Sequence, residues 1–260
     1  MPPLIYGFSQ MQHWRKFQAA LIFYTCLPLR PQGILDFRGI ALYAPLIGIL
    51  IGSAIASLDF GLGLIKPASE FVYLRSLLTI LLGLLITGGL HLDGAMDTAD
   101  GLAVTDPNRR LEVMADSNTG AFGAIAGITI LLLKVVALAA IKDQRFWILT
   151  SVWAWARWGQ LRTIMAYPYL KAIGKGKFHQ EDLHHWQVWL VALLLTIGNL
   201  AISYFFHAIY LGIGVTVIGF SFAWLIGAWF NRQLGGHTGD TYGAIVEWTE
   251  ALGLCAIAFV

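Results

Sequence analysis

Long apolar stretches separated by short polar loops dominate the pattern of this 260-residue chain. A stretch of about 20 apolar residues is long enough to cross a bilayer as an α-helix. Before the first such stretch, the apolar run from Phe17 to Leu29 is too short to span and predicts an interfacial or re-entrant helix. The pattern predicts seven spans, at about 39–58, 73–92, 119–141, 146–167, 186–206, 209–230 and 243–260.

Composition agrees with an all-α, polytopic integral membrane helix bundle. The chain is 57% hydrophobic and only 12% charged, with a mean hydropathy of +0.68, which lies well outside the range of soluble domains. The net charge of +2 and the absence of a dense basic run argue against a nucleic-acid partner. Because no repeat and no long linker interrupts the pattern, we predict a single membrane-embedded domain over residues 1–260.

The loop charges predict the orientation of the bundle. Seven spans place the loops 93–118, 168–185 and 231–242 on the same side as the N-terminus. That side holds Arg15, Lys16, Arg30, Arg38, Arg109, Arg110, Lys171, Lys175, Lys177 and Arg232. The other side holds Lys66, Arg75, Lys142 and Arg145. The positive-inside rule therefore predicts that the first side is cytoplasmic, in a plasma or inner membrane.

Three aspartates crowd the end of the second predicted span. Asp93, Asp97 and Asp100 follow one another at i, i+4 and i+7, so a helix would project all three from one face. Like charges at this spacing repel unless a cation lies among them, and hard oxygen ligands favour Mg²⁺ or Mn²⁺. We predict a metal–phosphate site here; the alternative is a solvated helix end with ordinary surface aspartates.

Polar residues on either side of the aspartates are further candidates for chemistry. His91 precedes them by one turn, and Asp116 opens the next span; either could accept a proton as a general base, although Asp116 could equally be a helix cap. Arg109 and Arg110 could neutralise the aspartates or bind a substrate phosphate.

Cations inside predicted spans need partners, because an unpaired charge at membrane depth is costly. Lys134 and Arg157 should face the bundle interior, with an acidic residue or a bound phosphate opposite.

The last loop is rich in glycine and also carries polar groups. His237, Thr238 and Asp240 lie in the segment GGHTGDTYG, which indicates either a phosphate-binding turn or a tight interhelical turn. We expect Thr238 and Asp240 to close the site from this loop. Glu247 and Glu250 follow in the last span and, as buried acids, also need a partner.

Three blocks of the sequence resemble the signature blocks of one family, the membrane-bound cobalamin synthases or adenosylcobinamide-GDP ribazoletransferases. The blocks are GGLHLDGAMDTADGL, RRLEVMADSNTGAFGA and LGGHTGDTYGAIVEWTE. The resemblance implies Mg²⁺-dependent joining of α-ribazole, or its 5′-phosphate, to adenosylcobinamide-GDP. GMP would be released, and adenosylcobalamin or its phosphate would form at the membrane, in a late step of nucleotide-loop assembly.

The chemistry of this reaction assigns roles to the candidate residues. Metal binding falls to Asp93, Asp97 and Asp100, catalysis to His91, Asp116 and Asp240, and substrate binding to Arg109, Arg110, Lys134, Arg157, His237 and Thr238. The resemblance leaves open a homo-oligomer or a complex with other enzymes of cobalamin assembly. Two alternatives are a CDP-alcohol phosphotransferase, which would need an Ala-Arg pair after Asp93-Gly94, and a cation-coupled transporter, which would place its carboxylates near mid-membrane in an internal repeat.

Overall fold

A computed structural model describes residues 4–31, 33–65, 68–171 and 182–260. The regular elements in these ranges are all helices, with no β-strand, which confirms the all-α prediction. Short 3-10 helices cover Ile40–Tyr43 and Pro107–Arg109. The α-helices are α1 Leu4–Tyr24, α2 Ala44–Ile65, α3 Ala68–Thr87, α4 Leu90–Ala103, α5 Arg110–Val113, α6 Ala121–Ala140, α7 Arg145–Ala166, α8 His185–Phe205, α9 Ile209–Leu234 and α10 Gly239–Ile257.

The protein is a membrane protein by the length and composition of its helices. Within the described ranges, four segments are long and apolar enough to cross a bilayer: Ile40–Ile65, α6, α8 and α9. A fifth span is present if α3 and α4 together count as one broken span. The two remaining predicted spans correspond to α7 and α10, which have 22 and 19 residues but carry charged side chains.

The polar character of α7 and α10 follows from their central position. The helices α2, α8, α9 and α10 pack around α7, while α4, α6, α7 and α9 surround α10. Nearly every residue of α7 is buried. A helix enclosed by other helices can carry ionic groups that a lipid-facing helix cannot, because its neighbours supply the partners.

Close packing between α2 and α7 depends on small residues. A Cβ atom added to Gly48 would lie 2.5 Å from the Trp153 carbonyl oxygen, and one added to Gly52 would lie 2.7 Å from Cα of Thr150. Glycine at both positions lets the two backbones approach, which is how membrane helices gain packing energy when lipid is as apolar as their side chains.

A sharp break separates α3 from α4. Gly88 and Gly89 adopt left-handed conformations, with φ of +62° and +74°, and their N–H groups donate to the carbonyls of Leu85 and Leu84. The two helices meet at 90°. The predicted span 73–92 therefore ends at Thr87, and the aspartates lie on a helix of their own.

The N-terminal helix also differs from the sequence-based expectation. It begins at Leu4 rather than near Phe17 and ends at Tyr24. Ala19, Ala20 and Tyr24 are buried in the core formed with α2. This packing explains why an apolar run that is too short to span the bilayer is nevertheless helical.

Two arginines that the sequence places in loops are helix residues with an acidic partner. Arg145 is buried, and its Nη2 and Nε lie 2.6 and 3.0 Å from the two carboxylate oxygens of Asp59. Arg75 on α3 donates to the same carboxylate. Assigning both arginines to loop charge was therefore wrong. Lys66, Lys175 and Lys177 lie outside the described residues.

Two glycines set the crossing of α4 and α10. A Cβ on Gly94 would lie 2.7 Å from the Asp240 carbonyl oxygen, and one on Gly243 would lie 2.9 Å from the His91 carbonyl oxygen. The main chains of the two helices are thus in contact, and they bring the aspartate helix against the final glycine-rich loop.

We expect Gly94→Ala to lower the free energy of unfolding by about 1–3 kcal/mol, because the added methyl group meets rigid backbone. Gly198→Ala is the matched control: Gly198 lies in α8 with nothing within 4 Å of the added atom, and Ala is the better helix former by about 0.5–1 kcal/mol. Thermal unfolding in one detergent compares the two variants. Equal stability of both would contradict the close α4–α10 crossing.

Candidate active site

A cavity of about 180 Å³ lies where α4 meets α10. Two carboxylates, Asp93 from α4 and Asp240 from the start of α10, line it. Its other polar lining residues are His91, Gln160, Tyr169 and Tyr242. The first and last signature blocks, far apart in sequence, therefore line the same cavity.

The three aspartates of α4 differ in their surroundings. Asp93 is exposed, Asp97 is half-buried, and Asp100 is buried. Charge repulsion acts on Asp97 from Asp93, Asp100 and Asp240, so the four carboxylates form one acidic region.

Asp100 already has partners within the protein. Its Oδ2 accepts the N–H of Gly120 at 2.7 Å, and its Oδ1 accepts the N–H of Gly123 at 2.8 Å. These amides belong to the start of α6, where backbone donors have no partner in the helix. Asp100 therefore fixes α6 to α4, a role that its place in the i, i+4, i+7 series does not reveal.

The final loop holds Asp240 through two contacts. Lys171 Nζ lies 3.0 Å from Asp240 Oδ2, and the Thr238 hydroxyl donates to the same oxygen at 3.1 Å. Thr238 is also the N-cap of α10, since its Oγ1 accepts the N–H of Thr241. Lys171 reaches this position because the segment 168–170 pairs with His237 through two backbone hydrogen bonds.

His237 is fully buried rather than open to a ligand. Its Nδ1 lies 3.1 Å from the Thr241 hydroxyl, and its ring stacks on Tyr242 with 5.8 Å between centroids. The geometry of His237 and Thr238 matches the tight-turn alternative.

A buried ionic cluster lies directly behind the cavity. Lys134 Nζ is 2.6 Å from Glu247 Oε2 and 2.5 Å from Glu250 Oε2. The expectation that Lys134 and the two glutamates find partners inside the bundle is therefore confirmed. Arg157, also buried, is attracted by both glutamates, so two cations and two anions balance.

Arg157 connects this cluster to the cavity. Its Nη1 lies 2.9 Å from His91 Nε2, and its guanidinium carbon is 6.0 Å from the centre of the Tyr24 ring. His91 is only 2% exposed, yet it lines the cavity.

Of the predicted site residues, only His91, Asp93 and Asp240 line this cavity, and Arg109, Arg110 and Asp116 have partners elsewhere. Arg109 is exposed and 3.9 Å from Glu112. Arg110 donates to the carbonyls of Val104 and Gln233, which ties the loop to the end of α9. Asp116 is exposed and accepts two hydrogen bonds from Asn118, as a local cap would.

Sequence reasoning missed Gln160, Tyr169 and Tyr242, and it gave Lys171 no more than a role in a basic loop. Gln160 lies within an apolar span beside Arg157 and Arg162, where a further polar residue is a signal for a functional position. The two tyrosines, stacked with 6.2 Å between centroids, carry no such signal because Tyr is common at membrane interfaces.

A second, larger cavity of about 750 Å³ lies against α4 beside the first. Its lining is almost entirely apolar and comes from α4, α9 and α10, with Arg232 among the few polar residues. Thus α4 and α10 each contribute to an acidic space and to an apolar one.

The described residues contain no group of three His, Cys, Asp or Glu side chains arranged to hold a metal ion. A cage of three carboxylates is therefore not preformed in this part of the chain. Mg²⁺, however, is usually held by one or two carboxylates together with substrate phosphates and water, and the oxygen donors of Asp93 and Asp97 fit that kind of site.

The buried ionic centre, the acidic cavity and the apolar outer helices define a polytopic membrane enzyme. Residues 16–258 match the family model described as cobalamin-5-phosphate synthase. The chain belongs to this family and is a transferase.

Curated relatives cover almost the whole chain. A Trichormus variabilis protein is 49% identical over 93% of this chain and 96% of its own length. A Synechococcus elongatus protein is 48% identical over 93% and 95%, and a Synechocystis protein is 42% identical over 96% and 100%. All three are named adenosylcobinamide-GDP ribazoletransferase. No solved structure matches the chain.

Proposed function

We propose that this protein transfers the adenosylcobinamide-phosphate moiety of adenosylcobinamide-GDP to α-ribazole or α-ribazole 5′-phosphate. GMP is released, and the product is adenosylcobalamin or its 5′-phosphate. The names of the relatives support the reaction. The observation that carries it to particular residues is the cavity in which His91, Asp93 and Asp240 meet.

The transfer exchanges one oxygen–phosphorus bond for another. A ribose hydroxyl loses its proton, its oxygen bonds to the cobinamide-linked phosphorus, and the diphosphate bridge breaks so that GMP leaves. We assign the proton to Asp240, because this carboxylate lines the cavity whereas Asp116 does not. Lys171, at 3.0 Å from Asp240, adds a positive charge beside the diphosphate.

The donor set supports Mg²⁺ as the cofactor. Asp93 and Asp97 would hold the ion together with diphosphate oxygens, while Asp100 is engaged with α6. When bound, the ion supplies charge neutralisation at the diphosphate. Asp93 is the most exposed of the three aspartates on α4. It is therefore the best placed to bind a metal ion that also binds the substrate.

We further propose that the cavity faces the cytoplasm. Lys171 and Arg232, two of the cations that predict this orientation, lie at the same end of α10 as Asp240.

One assay tests the reaction. The protein in liposomes receives adenosylcobinamide-GDP with α-ribazole or its 5′-phosphate, and GMP is measured with Mg²⁺ and with excess EDTA. We expect GMP and a corrinoid product in equal amounts, with both lost on chelation. GMP release that persists in EDTA would contradict the metal assignment, and no release with either acceptor would contradict the function.

A further inference from the structure

The hydrogen bond between Arg157 and His91 determines which nitrogen of His91 carries a proton. The two atoms, Arg157 Nη1 and His91 Nε2, lie 2.9 Å apart. A guanidinium has only N–H donors and cannot accept a hydrogen bond. His91 Nε2 must therefore be the acceptor, and the proton of the neutral ring lies on Nδ1.

Arg157 cannot turn away easily from this contact. It is 1% exposed, its guanidinium lies over the Tyr24 ring, and Glu247 and Glu250 attract it while they bind Lys134. Moving Arg157 would leave a charge unpaired inside the bundle, which is strongly unfavourable. The ionic cluster thus keeps Arg157 in position, and His91 Nε2 remains a hydrogen-bond acceptor.

The other ring nitrogen lacks a partner. His91 Nδ1 is buried and makes no hydrogen bond to any described residue. Buried N–H groups in folded proteins are nearly always paired, so an orphan donor on a residue that lines a cavity calls for an acceptor from outside the protein. The cavity that His91 lines also holds Asp93 and Asp240, which are the carboxylates of the proposed site.

We propose that His91 is a hydrogen-bond donor to the transferring diphosphate, through Nδ1–H, and not the general base, with Arg157 as its positioning residue. This inference rests on the proposed function, since the diphosphate is the acceptor. A phosphoryl oxygen gains charge as the bridge breaks, and a fixed donor at that position stabilises the change. The base is then a carboxylate, in agreement with the assignment of Asp240.

Two substitutions separate the functions of the two ring nitrogens. In His91→Asn the side-chain amide can replace the Nδ1–H donor, whereas in His91→Gln the longer side chain can replace the Nε2 acceptor that Arg157 needs. We expect His91→Gln to keep its thermal stability but to lose about 100-fold in kcat, as for removal of one donor to transition-state charge. His91→Asn should keep at least about ten times more kcat than His91→Gln, even if it unfolds at a lower temperature.

The tautomer itself is measurable without turnover. Protein labelled with ¹⁵N-histidine and reconstituted in nanodiscs should show one histidine, absent from the His91→Gln spectrum, with its proton on Nδ1. Adding adenosylcobinamide-GDP without the ribazole acceptor should shift that N–H resonance.

A proton on Nε2, or a His91→Gln variant as active as the parent, would overturn the inference. An Nδ1 proton in a protein that releases no GMP would instead contradict the proposed function and leave the Arg157–His91 geometry intact.

Discussion

Replacing Asp93 by Asn is expected to abolish turnover while the protein remains inserted and folded. Asp93 is exposed at the cavity and makes no ion pair with any described residue, so the substitution removes charge without breaking a structural contact. Because Asp93 would hold the Mg²⁺ that neutralises charge on the diphosphate, its loss should lower kcat by about 100- to 1,000-fold. Stability should change by less than about 0.5 kcal/mol, as for most surface substitutions. GMP release at saturating Mg²⁺ and the thermal unfolding midpoint measure the two effects.

Asp106→Asn is the matched control for this experiment. Asp106 is an exposed carboxylate of the same acidic loop, and its side chain caps the short 3-10 helix by accepting the Asn108 N–H at 3.0 Å. This variant should keep full activity. Substantial turnover by Asp93→Asn, or an equal loss in both variants, would show that the acidic cavity is not where the reaction occurs.

The second large effect is expected from Lys134→Met. Lys134 is 3% exposed and pairs with Glu247 and Glu250, so the substitution leaves two carboxylates buried with only Arg157 nearby. Removing one partner of a buried pair costs about 3–5 kcal/mol, far more than the pair contributes net. We expect a strongly lowered unfolding midpoint in detergent.

Neutralising one of the two glutamates should restore the lost stability. In the double variant Lys134→Met, Glu247→Gln one buried cation and one buried anion remain, Arg157 and Glu250, and we expect most of the stability to return. Lys142→Met, at an exposed position just after α6, controls for loss of a cation. A double variant no more stable than Lys134→Met would mean that the lysine acts through packing and not through charge balance.

Hydrophobic periodicity predicts the helices of this protein well because each lipid-facing helix must be apolar over its length. The predicted spans at 119–141 and 186–206 correspond closely to α6 and α8. Hydropathy predicts α7 and α10 less well. Other helices surround them, so they can carry charged side chains that a lipid-facing helix cannot. Their Arg157, Glu247 and Glu250 depend on tertiary partners that no local pattern shows.

The sequence indicates which carboxylates are candidates for the site, but it does not indicate how they are arranged. The spacing of Asp93, Asp97 and Asp100 indicates a shared helix face, but the 90° bend at Gly88-Gly89 turns that helix so that Asp100 meets the start of α6. The spacing of residues within α4 does not show how α4 is oriented relative to α3 across the bend at Gly88-Gly89. Gln160 and Tyr169 escape prediction for a related reason, since they reach the cavity only through the packing of α7 and the loop after it.

The separation of Lys134 from its two acids has a consequence for synthesis. Lys134 precedes Glu247 by 113 residues, so a ribosome delivers the lysine to the membrane well before either glutamate exists. Until α10 is inserted, Lys134 lacks the two carboxylates that balance its charge. The last helix therefore supplies the two carboxylates that balance the charge of Lys134, so the interior is complete only after α10 is in place.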